Sequence, residues 1–354
     1  MLQRAASPQR ASAKQDGPVF AAIDLGTNNC RLLVATPAGS GFRVLDSYSR
    51  PVRLGEGLLR TGELSAAAMD RAVAALSACA EKLGSRKLAG MRAVATAAVR
   101  QARNGEAFLE RVREETGIAL EVISPREEAE LALEGCTPLL WREKGRRALL
   151  FDIGGGSTEL IWVRLAPPPK RPHFVGYCSM PLGVASLAER FGTGAFSQGT
   201  FAAAVAEIES RLLPFEQVHC ISREIAMGGV LLLGTSGTLT TVAGVVLGLP
   251  RYHRPQIDGV VLSHNDVTQA LARLSALDPE RLAAHPCVGA DRVDFVLPGC
   301  AILAAIFKLW QTPRAVVADR GLREGMLLRM MASARRGRAR RNAAGFSPEN
   351  GSCA

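Results

Sequence analysis

The fold is decided by a stretch that the chain contains twice in related form: AAIDLGTNN at residues 21–29 and LLFDIGGGSTE at residues 149–159. Each copy opens with an apolar run typical of a buried strand, reaches an aspartate, turns on glycine and resumes as a second strand. The two aspartates, Asp24 and Asp152, lie 128 residues apart. Because solenoid repeats have periods of only tens of residues, this spacing predicts two related half-domains.

The turns of both copies have the composition of phosphate-binding loops. Since glycine has no Cβ, consecutive backbone N–H groups can converge on phosphate oxygens, and the hydroxyl groups of Thr27, Ser157 and Thr158 would add donors. Carboxylates beside phosphate require a cation, and Mg²⁺ favours one or two protein carboxylates plus substrate oxygens. Two such hairpins facing each other across a cleft would surround a polyphosphate and its metal ion. The alternative interpretation is that each copy is an ordinary hairpin turn.

The composition restricts the class of protein. A chain of 354 residues with 47% hydrophobic residues fits two α/β domains with real cores. The eight cysteines form no Cys-x-x-Cys pair, which indicates reduced thiols in the cytoplasm and argues against zinc and disulfide bonds. The N-terminus lacks the apolar segment of a secretory signal. The uncharged stretch from Ile225 to Pro250 could span a membrane by length, but its glycines and threonines predict a strand, a loop and a buried helix, so no membrane partner is expected.

The net charge of +10 is partly carried by the end of the chain, where five arginines lie between residues 335 and 341. We interpret this run as a solvated, disordered tail, with contact to nucleic acid or anionic lipid as the alternative, and expect no specific nucleic-acid partner. The remaining body is mildly basic, which suits an anionic substrate.

The predicted elements divide the chain into five segments. Strands alternate with helices in both halves, which indicates a parallel or mixed sheet in each. The segments are a disordered leader at residues 1–18, a first α/β lobe at 19–126, a second α/β lobe at 127–318, a helix at 319–333 that returns to the first lobe, and a basic disordered tail at 334–354. Two α/β lobes with a central cleft are the expected architecture.

Several charged residues are candidates for the chemistry, each with an alternative interpretation. Glu127, Glu128 and Glu130 open a predicted helix, where acidic residues commonly complement the helix dipole, but hydrolysis also needs a base near the attacking water. Glu159 either points to the cation or faces solvent. Four arginines are candidates for neutralising phosphate, although a single arginine equally suits the surface: Arg31, Arg53, Arg100 and Arg323.

Eight motifs in one order carry a family resemblance over residues 19–330. They are IDLGTNN at 23–29 followed by Arg31, RLGEG at 53–57, ATAAVR at 95–100, EEA at 127–129, DIGGGSTEL at 152–160, PLG at 181–183, GTSGT at 234–238 and DRGLREG at 319–325. With these motifs the chain resembles the exopolyphosphatase and guanosine pentaphosphate phosphatase family. That family belongs to the actin, Hsp70 and sugar-kinase superfamily, so the resemblance implies a two-lobed, actin-like (ribonuclease H-like) α/β fold with a central cleft.

The resemblance implies a Mg²⁺-dependent phosphohydrolase, with Mn²⁺ as a second candidate cation. Its substrate would be inorganic polyphosphate, losing the terminal phosphate, or guanosine pentaphosphate (pppGpp), losing the 5′ phosphate. Glu128 would activate the water, and Asp24, Asp152 and Glu159 would hold the metal. The implied phosphate-binding set is Gly26, Thr27, Asn28, Asn29, Arg31, Arg53, Arg100, Gly154, Gly155, Gly156, Ser157, Thr158, Gly234, Ser236 and Gly237.

Two departures from the family pattern matter. Pro125 stands where the family commonly has glycine, which we expect to stiffen the loop that carries Glu128. The chain also ends soon after the GLREG motif, so we expect it to lack the C-terminal helical domain of longer members and their grip on long polymers.

Alternatives to a polyphosphate hydrolase stay open. The motifs do not separate polyphosphate from pppGpp, because both present the same terminal phosphoanhydride. Alternatives of another class are a kinase of the same fold and a non-catalytic sensor of polyphosphate or an alarmone. Intact Glu128, Asp24 and Asp152 argue against the sensor. The pattern is also compatible with a homodimer.

Overall fold

The apolar runs around Asp24 and Asp152 form inner strands of two separate sheets. The structure is a computed structural model that describes residues 17–84, 86–142, 145–191, 198–289 and 292–344. Residues 1–16 of the predicted leader and residues 345–354 of the predicted tail lie outside this described part.

The first sheet is built from the N-terminal third of the chain. Its strands are β1 (Val19–Leu25), β2 (Asn29–Ala38), β3 (Gly41–Pro51), β4 (Leu88–Ala95) and β5 (Glu121–Val122), in the order β3-β2-β1-β4-β5. The first three strands pair antiparallel, and β4 and β5 continue the sheet in parallel. Strand β1 is buried on both faces, as its continuous apolar sequence predicts.

The second sheet repeats this plan. Its strands are β6 (Arg147–Ile153), β7 (Thr158–Arg164), β8 (His173–Met180), β9 (Val230–Thr235), β10 (Val261–Ser263) and β11 (Arg314–Ala318), in the order β10-β11-β9-β6-β7-β8. An antiparallel meander again leads into parallel strands, with β10 added antiparallel at the edge. The prediction of two related α/β half-domains is therefore confirmed.

The helices cover the faces of both sheets. They are α1 (Leu58–Thr61), α2 (Ala66–Leu83), α3 (Ala97–Gln101), α4 (Gly105–Thr116), α5 (Pro125–Leu140), α6 (Val184–Phe191), α7 (Gln198–His219), α8 (Ile221–Ala226), α9 (Gly237–Val246), α10 (Arg254–Ile257), α11 (His264–Ser275), α12 (Pro279–Ala284), α13 (Val293–Leu309) and α14 (Leu322–Ala344). Helices α2 and α4 share a core with one face of the first sheet, and α7, α9, α11 and α13 share one with the second.

Helices α5 and α14 join the two lobes. Helix α14 packs on the remaining face of the first sheet, where Met326 and Leu327 are fully buried, and α5 covers the remaining face of the second. Burying one such side chain contributes about 1.5–3 kcal/mol. The two helices touch backbone to backbone, because a Cβ on Gly135 or Gly325 would collide with the other helix. The boundary predicted at residues 126 and 127 falls within the first turn of α5.

The C-terminal helix is longer than the sequence predicted. It runs to Ala344, so residues 334–344, expected to be part of a disordered tail, are helical. The physical reason is that alanine and arginine are good helix formers and the first proline after the helix start is Pro348. Its N-terminal half returns to the first lobe by contacts with β1, β2 and β4.

The uncharged stretch from Ile225 to Pro250 is folded as predicted, with the end of α8, strand β9 and the buried helix α9. Within the described residues, none of the helices combines the length and apolar character that crossing a membrane requires.

Candidate active site

The two hairpins place acidic side chains at equivalent positions in the two sheets. In the first, Asp24 pairs across the ladder with Arg31, and in the second, Asp152 pairs with Glu159. Both pairs obey the same repeat of 128 residues. The shared geometry therefore sets an arginine beside one aspartate and a glutamate beside the other, which gives a charge-balanced pair in the first half of the site and two acidic side chains in the second.

The turns of the hairpins meet across the cleft. A Cβ built on Gly155 would lie 3.0 Å from Thr27 Cβ and 3.3 Å from Asn28 N. A Cβ on Gly156 would lie 2.7 Å from Thr27 Oγ1. This closeness explains why the second turn contains consecutive glycines, since any side chain there would push the lobes apart.

Each turn presents backbone donors without acceptors. Within the described part of the chain, the N–H groups of Thr27 and Asn28 have no hydrogen-bond partner, and neither do those of Gly155 and Gly156. Unpaired N–H groups are costly when shielded from water and are commonly satisfied by ligands. Of these four residues, Thr27, Asn28 and Gly155 line the cavity between the lobes, so free N–H groups from opposite lobes form a site for an anion with several oxygens.

Backbone bonds fix the first turn from behind. The N–H groups of Val52 and Arg53 donate to the Asn28 carbonyl at 2.8 and 3.0 Å, and Gly55 N–H donates to the Thr27 carbonyl at 3.0 Å. The carbonyl groups of the turn are thus occupied, and only its donors remain for a ligand.

The second turn is held in the same way by α6. Val184 N–H donates to the Gly154 carbonyl at 2.9 Å and Ala185 N–H donates to the Gly155 carbonyl at 2.8 Å. The N-terminus of this helix therefore supports the turn.

Four carboxyl groups gather under the turns. Burial and the charge of Glu159 raise the pKa of Glu128 well above its usual range, with Asp152 and Asp24 adding to the rise. Burial, followed by the charge of Glu159, raises the pKa of Asp152 to about 8. The pKa of Asp24 is also raised by burial, although the neighbouring charge of Arg31 opposes the rise. Four acids in mutual repulsion call for a bound cation or for shared protons.

Glu128 lies in the first turn of α5, so the prediction that the acidic cluster opens a helix is confirmed. Ser124 caps this helix by accepting from Glu127 N–H at 3.1 Å, and Pro125 is its first residue. Proline fits this position because its fixed φ suits the helix and its missing N–H would be unpaired there. Pro125 therefore starts the helix that holds Glu128.

Arg100 is the basic neighbour of Glu128. Its Nη1 lies 3.4 Å from Glu128 Oε2 and donates to the Ile123 carbonyl at 2.7 Å. The positive charge of Arg100 opposes the rise in the pKa of Glu128. Arg100 therefore orients and tunes Glu128 from the first lobe.

The donor set suits a hard cation. Within the described ranges, no three His, Cys, Asp or Glu side chains are grouped as a complete metal site. Asp24 and Asp152 are buried oxygen donors that both line the cavity between the lobes. Two carboxylates with raised pKa values fit Mg²⁺, which takes its remaining ligands from water and phosphate oxygens.

A cavity of about 440 Å³ lies between the lobes and collects most of the predicted site. Fourteen of the predicted residues line it: Asp24, Gly26, Thr27, Asn28, Asn29, Arg31, Glu128, Asp152, Gly154, Gly155, Ser157, Ser236, Gly237 and the candidate arginine Arg323. Residues far apart in sequence are thus brought to one wall by the duplicated hairpins and by α5 and α9.

Six predicted residues do not line the cavity: Arg53, Arg100, Gly156, Thr158, Glu159 and Gly234. Thr158 is fully buried, and its hydroxyl donates to the Leu182 carbonyl at 2.8 Å, so it is not free for phosphate. Gly234 serves packing, because a Cβ there would collide with Phe151 and Leu239.

Glu159 is buried beside Asp152 and does not line the cavity. It is 1% exposed and accepts a hydrogen bond from Ser179 Oγ at 3.0 Å. Its charge acts on Glu128 and Asp152 by raising their pKa values. From this position it influences the cluster electrostatically.

Sequence reasoning missed a second group of cavity-lining residues. Tyr252, Arg254, Arg292 and Phe295 line the cavity and belong to segments without a motif. Arg254 donates to the Asp319 carbonyl at 2.6 Å, and Tyr252 donates to the Asp319 carboxylate. Only the DRGLREG motif signalled this region, because it contains Asp319.

Duplicated α/β lobes that meet at paired glycine turns define the class of two-lobed proteins with an actin-like fold. The sequence model of the Ppx/GppA phosphatase family matches residues 33–334, and the chain belongs to this family. The resemblance seen in the sequence is therefore confirmed.

The proteins that are similar to this chain carry two different names. A guanosine-5′-triphosphate,3′-diphosphate pyrophosphatase of Aeromonas salmonicida is 31% identical over 315 residues, which cover 88% of this chain and 59% of the relative. A Haemophilus influenzae protein, provisionally named an exopolyphosphatase, is 31% identical over 320 residues, covering 87% of this chain and 90% of that protein. The chain spans about three fifths of the length of the Aeromonas relatives that it matches.

Solved structures confirm the fold. An exopolyphosphatase from Cytophaga hutchinsonii aligns with a TM-score of 0.79 and 25% identity, covering 89% of this chain and 98% of that one. The Aquifex aeolicus member of the Ppx/GppA family aligns with a TM-score of 0.73 and 25% identity, covering 90% of this chain and 98% of that one. The predicted two-lobed α/β fold with a central cleft is thus confirmed.

Proposed function

We propose that the protein is a phosphohydrolase that releases the terminal phosphate of inorganic polyphosphate. The observation that carries the proposal is the meeting of the two glycine turns, where Thr27, Asn28 and Gly155, whose backbone N–H groups are unpaired, line one cavity together with Glu128. Donors placed where charge develops on a phosphoryl group stabilise the transition state. The names of two similar proteins, exopolyphosphatases from Haemophilus and Cytophaga, support the same activity.

Glu128 is proposed as the base that takes a proton from the attacking water. A carboxylate is a weak base at its ordinary pKa, and burial together with the charge of Glu159 raises the pKa of Glu128 well above its usual range, which makes it a stronger base. Arg100 keeps the Glu128 side chain oriented and limits that rise. The turns hold the terminal phosphate, and Arg31 offers a positive charge from the cavity wall.

Asp24 and Asp152 would hold a divalent cation, Mg²⁺ in the first place and Mn²⁺ as the second candidate. Such an ion supplies positive charge to the phosphate oxygens and relieves the repulsion among the buried carboxylates. Because Glu159 is the cross-strand neighbour of Asp152 but does not line the cavity, its proposed role in metal binding is to stabilise the cation through charge. We place the activity in the cytoplasm, which agrees with the free cysteines of the described residues.

A second candidate activity is hydrolysis of the 5′ phosphate of pppGpp. The aromatic residues of the cavity lining favour it, because Tyr252 and Phe295 offer ring surfaces on which a guanine base could stack. The name of the Aeromonas relative points in the same direction. A sensor without turnover is the alternative of another class, and it would have no use for Glu128 in the cavity.

The test is phosphate release by the purified protein with Mg²⁺. Long-chain polyphosphate, short-chain polyphosphate, pppGpp and ATP are compared at matched terminal-phosphate concentration. Preference for either polymer supports the proposal, and preference for pppGpp supports the second candidate. Preference for ATP would contradict both, and release from none of the four would favour the sensor.

A further inference from the structure

One polar contact joins the lobes directly across the cleft. Arg53, in the loop after β3, donates from Nη2 to Asp294 Oδ2 in the first turn of α13 at 3.0 Å. Between the described residues of 17–122 and those of 147–318, no other hydrogen bond or ion pair connects the lobes. The remaining connection runs through α5 and α14.

Arg53 is also bound to the first phosphate turn through its backbone. Its N–H donates to the Asn28 carbonyl at 3.0 Å, and its φ of 46° lies in the left-handed region. Among the described residues, Arg53 and Cys220 alone adopt positive φ without being glycine. A bulky residue is rarely found in this conformation. With it, the Arg53 backbone binds the first phosphate turn while the Arg53 side chain reaches Asp294 in the opposite lobe.

The side chain of Arg53 contacts the second lobe through Asp294 and Phe295. Its guanidinium carbon lies 5.5 Å from the ring centroid of Phe295, a residue of the cavity wall. Asp294 also suits its position, since a carboxylate in the first turn of a helix complements the helix dipole. With 39% and 30% exposure, the Arg53 and Asp294 side chains form this bridge at the rim of the cavity.

We propose that Arg53 and Asp294 are a positioning pair that holds the turn at Gly26–Asn28 against the turn at Gly154–Gly156. Neither residue contacts the reacting phosphate. The pair acts by keeping the lobes closed, so that the free N–H groups of both turns reach one phosphate together. The inference rests on the proposed function for its effect on activity, but not for its effect on the geometry of the turns.

The experiment is a double-mutant cycle with Asp294→Asn, Arg53→Gln and the double variant. Glu63→Gln is the matched control, because it breaks an exposed ion pair with Arg103 at 3.2 Å that lies within lobe I. Hydrogen–deuterium exchange of peptides covering residues 26–29 and 52–55 is measured alongside KM and kcat.

Each single variant should raise KM by about fivefold, the size expected for losing one partly exposed ion pair, and leave kcat within about twofold. Exchange in both peptides should accelerate to a similar extent, and the double variant should be no worse than either single one. The control should change neither quantity.

Unchanged exchange and KM in Asp294→Asn would overturn the inference, and so would single effects that multiply in the double variant. Exchange does not depend on turnover. If the wild-type protein hydrolysed none of the substrates, the proposed function would fail while the exchange cycle still decided the role of the pair.

Discussion

A methyl group at residue 156 should force the two phosphate turns apart. A Cβ there would lie 2.7 Å from Thr27 Oγ1 and 3.2 Å from Ala97 Cβ. Ordinary contacts begin near 3.4 Å, so Thr27 must move by about 0.7 Å. Because a misplacement of about 1 Å can cost on the order of 100-fold in rate, we expect Gly156→Ala to lower kcat/KM by about 10- to 100-fold.

The same substitution should lower the free energy of unfolding by about 1–3 kcal/mol, as overpacking does. In a Thr27→Ala background this loss should be smaller, because the nearest atom is gone. Gly41→Ala is the control, since its Cβ would meet nothing closer than 4.0 Å. The assays are phosphate release and urea unfolding. A Gly156→Ala variant with wild-type kcat/KM would refute the close approach of the turns.

Three further predictions concern the charged groups. The pKa of Asp152 is about 8 in the folded protein against an ordinary 3.8, so the folded state binds more protons between these values. Without divalent cation, the free energy of unfolding should therefore fall as pH rises from about 4 to 8, and added Mg²⁺ should reduce that loss. A melting temperature that does not change with pH in the presence of a chelator would contradict this. Arg100→Gln removes the positive charge that opposes the rise in the pKa of Glu128. The acidic limb of the plot of kcat against pH should therefore move to higher pH, and a limb that does not move would contradict the pairing of Arg100 with Glu128. The buried Glu324 carboxylate accepts a hydrogen bond from Arg254, with 2.8 Å between Nη2 and Oε1. Glu324→Gln weakens this bond and should lower the free energy of unfolding, measured in urea, by about 2 kcal/mol; a change below about 0.5 kcal/mol would contradict that role.

Much of the fold was readable because local signals and tertiary structure agree. The apolar run before Asp24 became a strand buried on both faces, and the stretch from Ile225 to Pro250 became strand, loop and buried helix. The glycine turns were readable for the same reason, since close approach of two backbones leaves room for no other residue. The proximity of Glu128 to these turns came from the resemblance alone.

Two of the failures share a physical cause, which is that tertiary contacts decide where a polar side chain points. Thr158 follows the second turn directly, yet its hydroxyl is bound to the Leu182 carbonyl. Arg53 belongs to a motif, yet it pairs with Asp294, 241 residues away. A separate error concerns residues 334–344 of the predicted tail, where charge predicted disorder although the helix propensity of alanine and arginine favours a helix.

The most direct test of the central claim is phosphate release by Glu128→Gln, measured together with substrate binding. Glu127→Gln is the matched control, because Glu127 lies in the same helical turn but pairs with Arg92 at 2.8 Å. If Glu128 activates the water, its loss should lower the rate by about 10²–10⁴-fold while binding and the control stay near wild type. A Glu128→Gln protein that still releases phosphate at a rate close to that of the wild type would contradict the account.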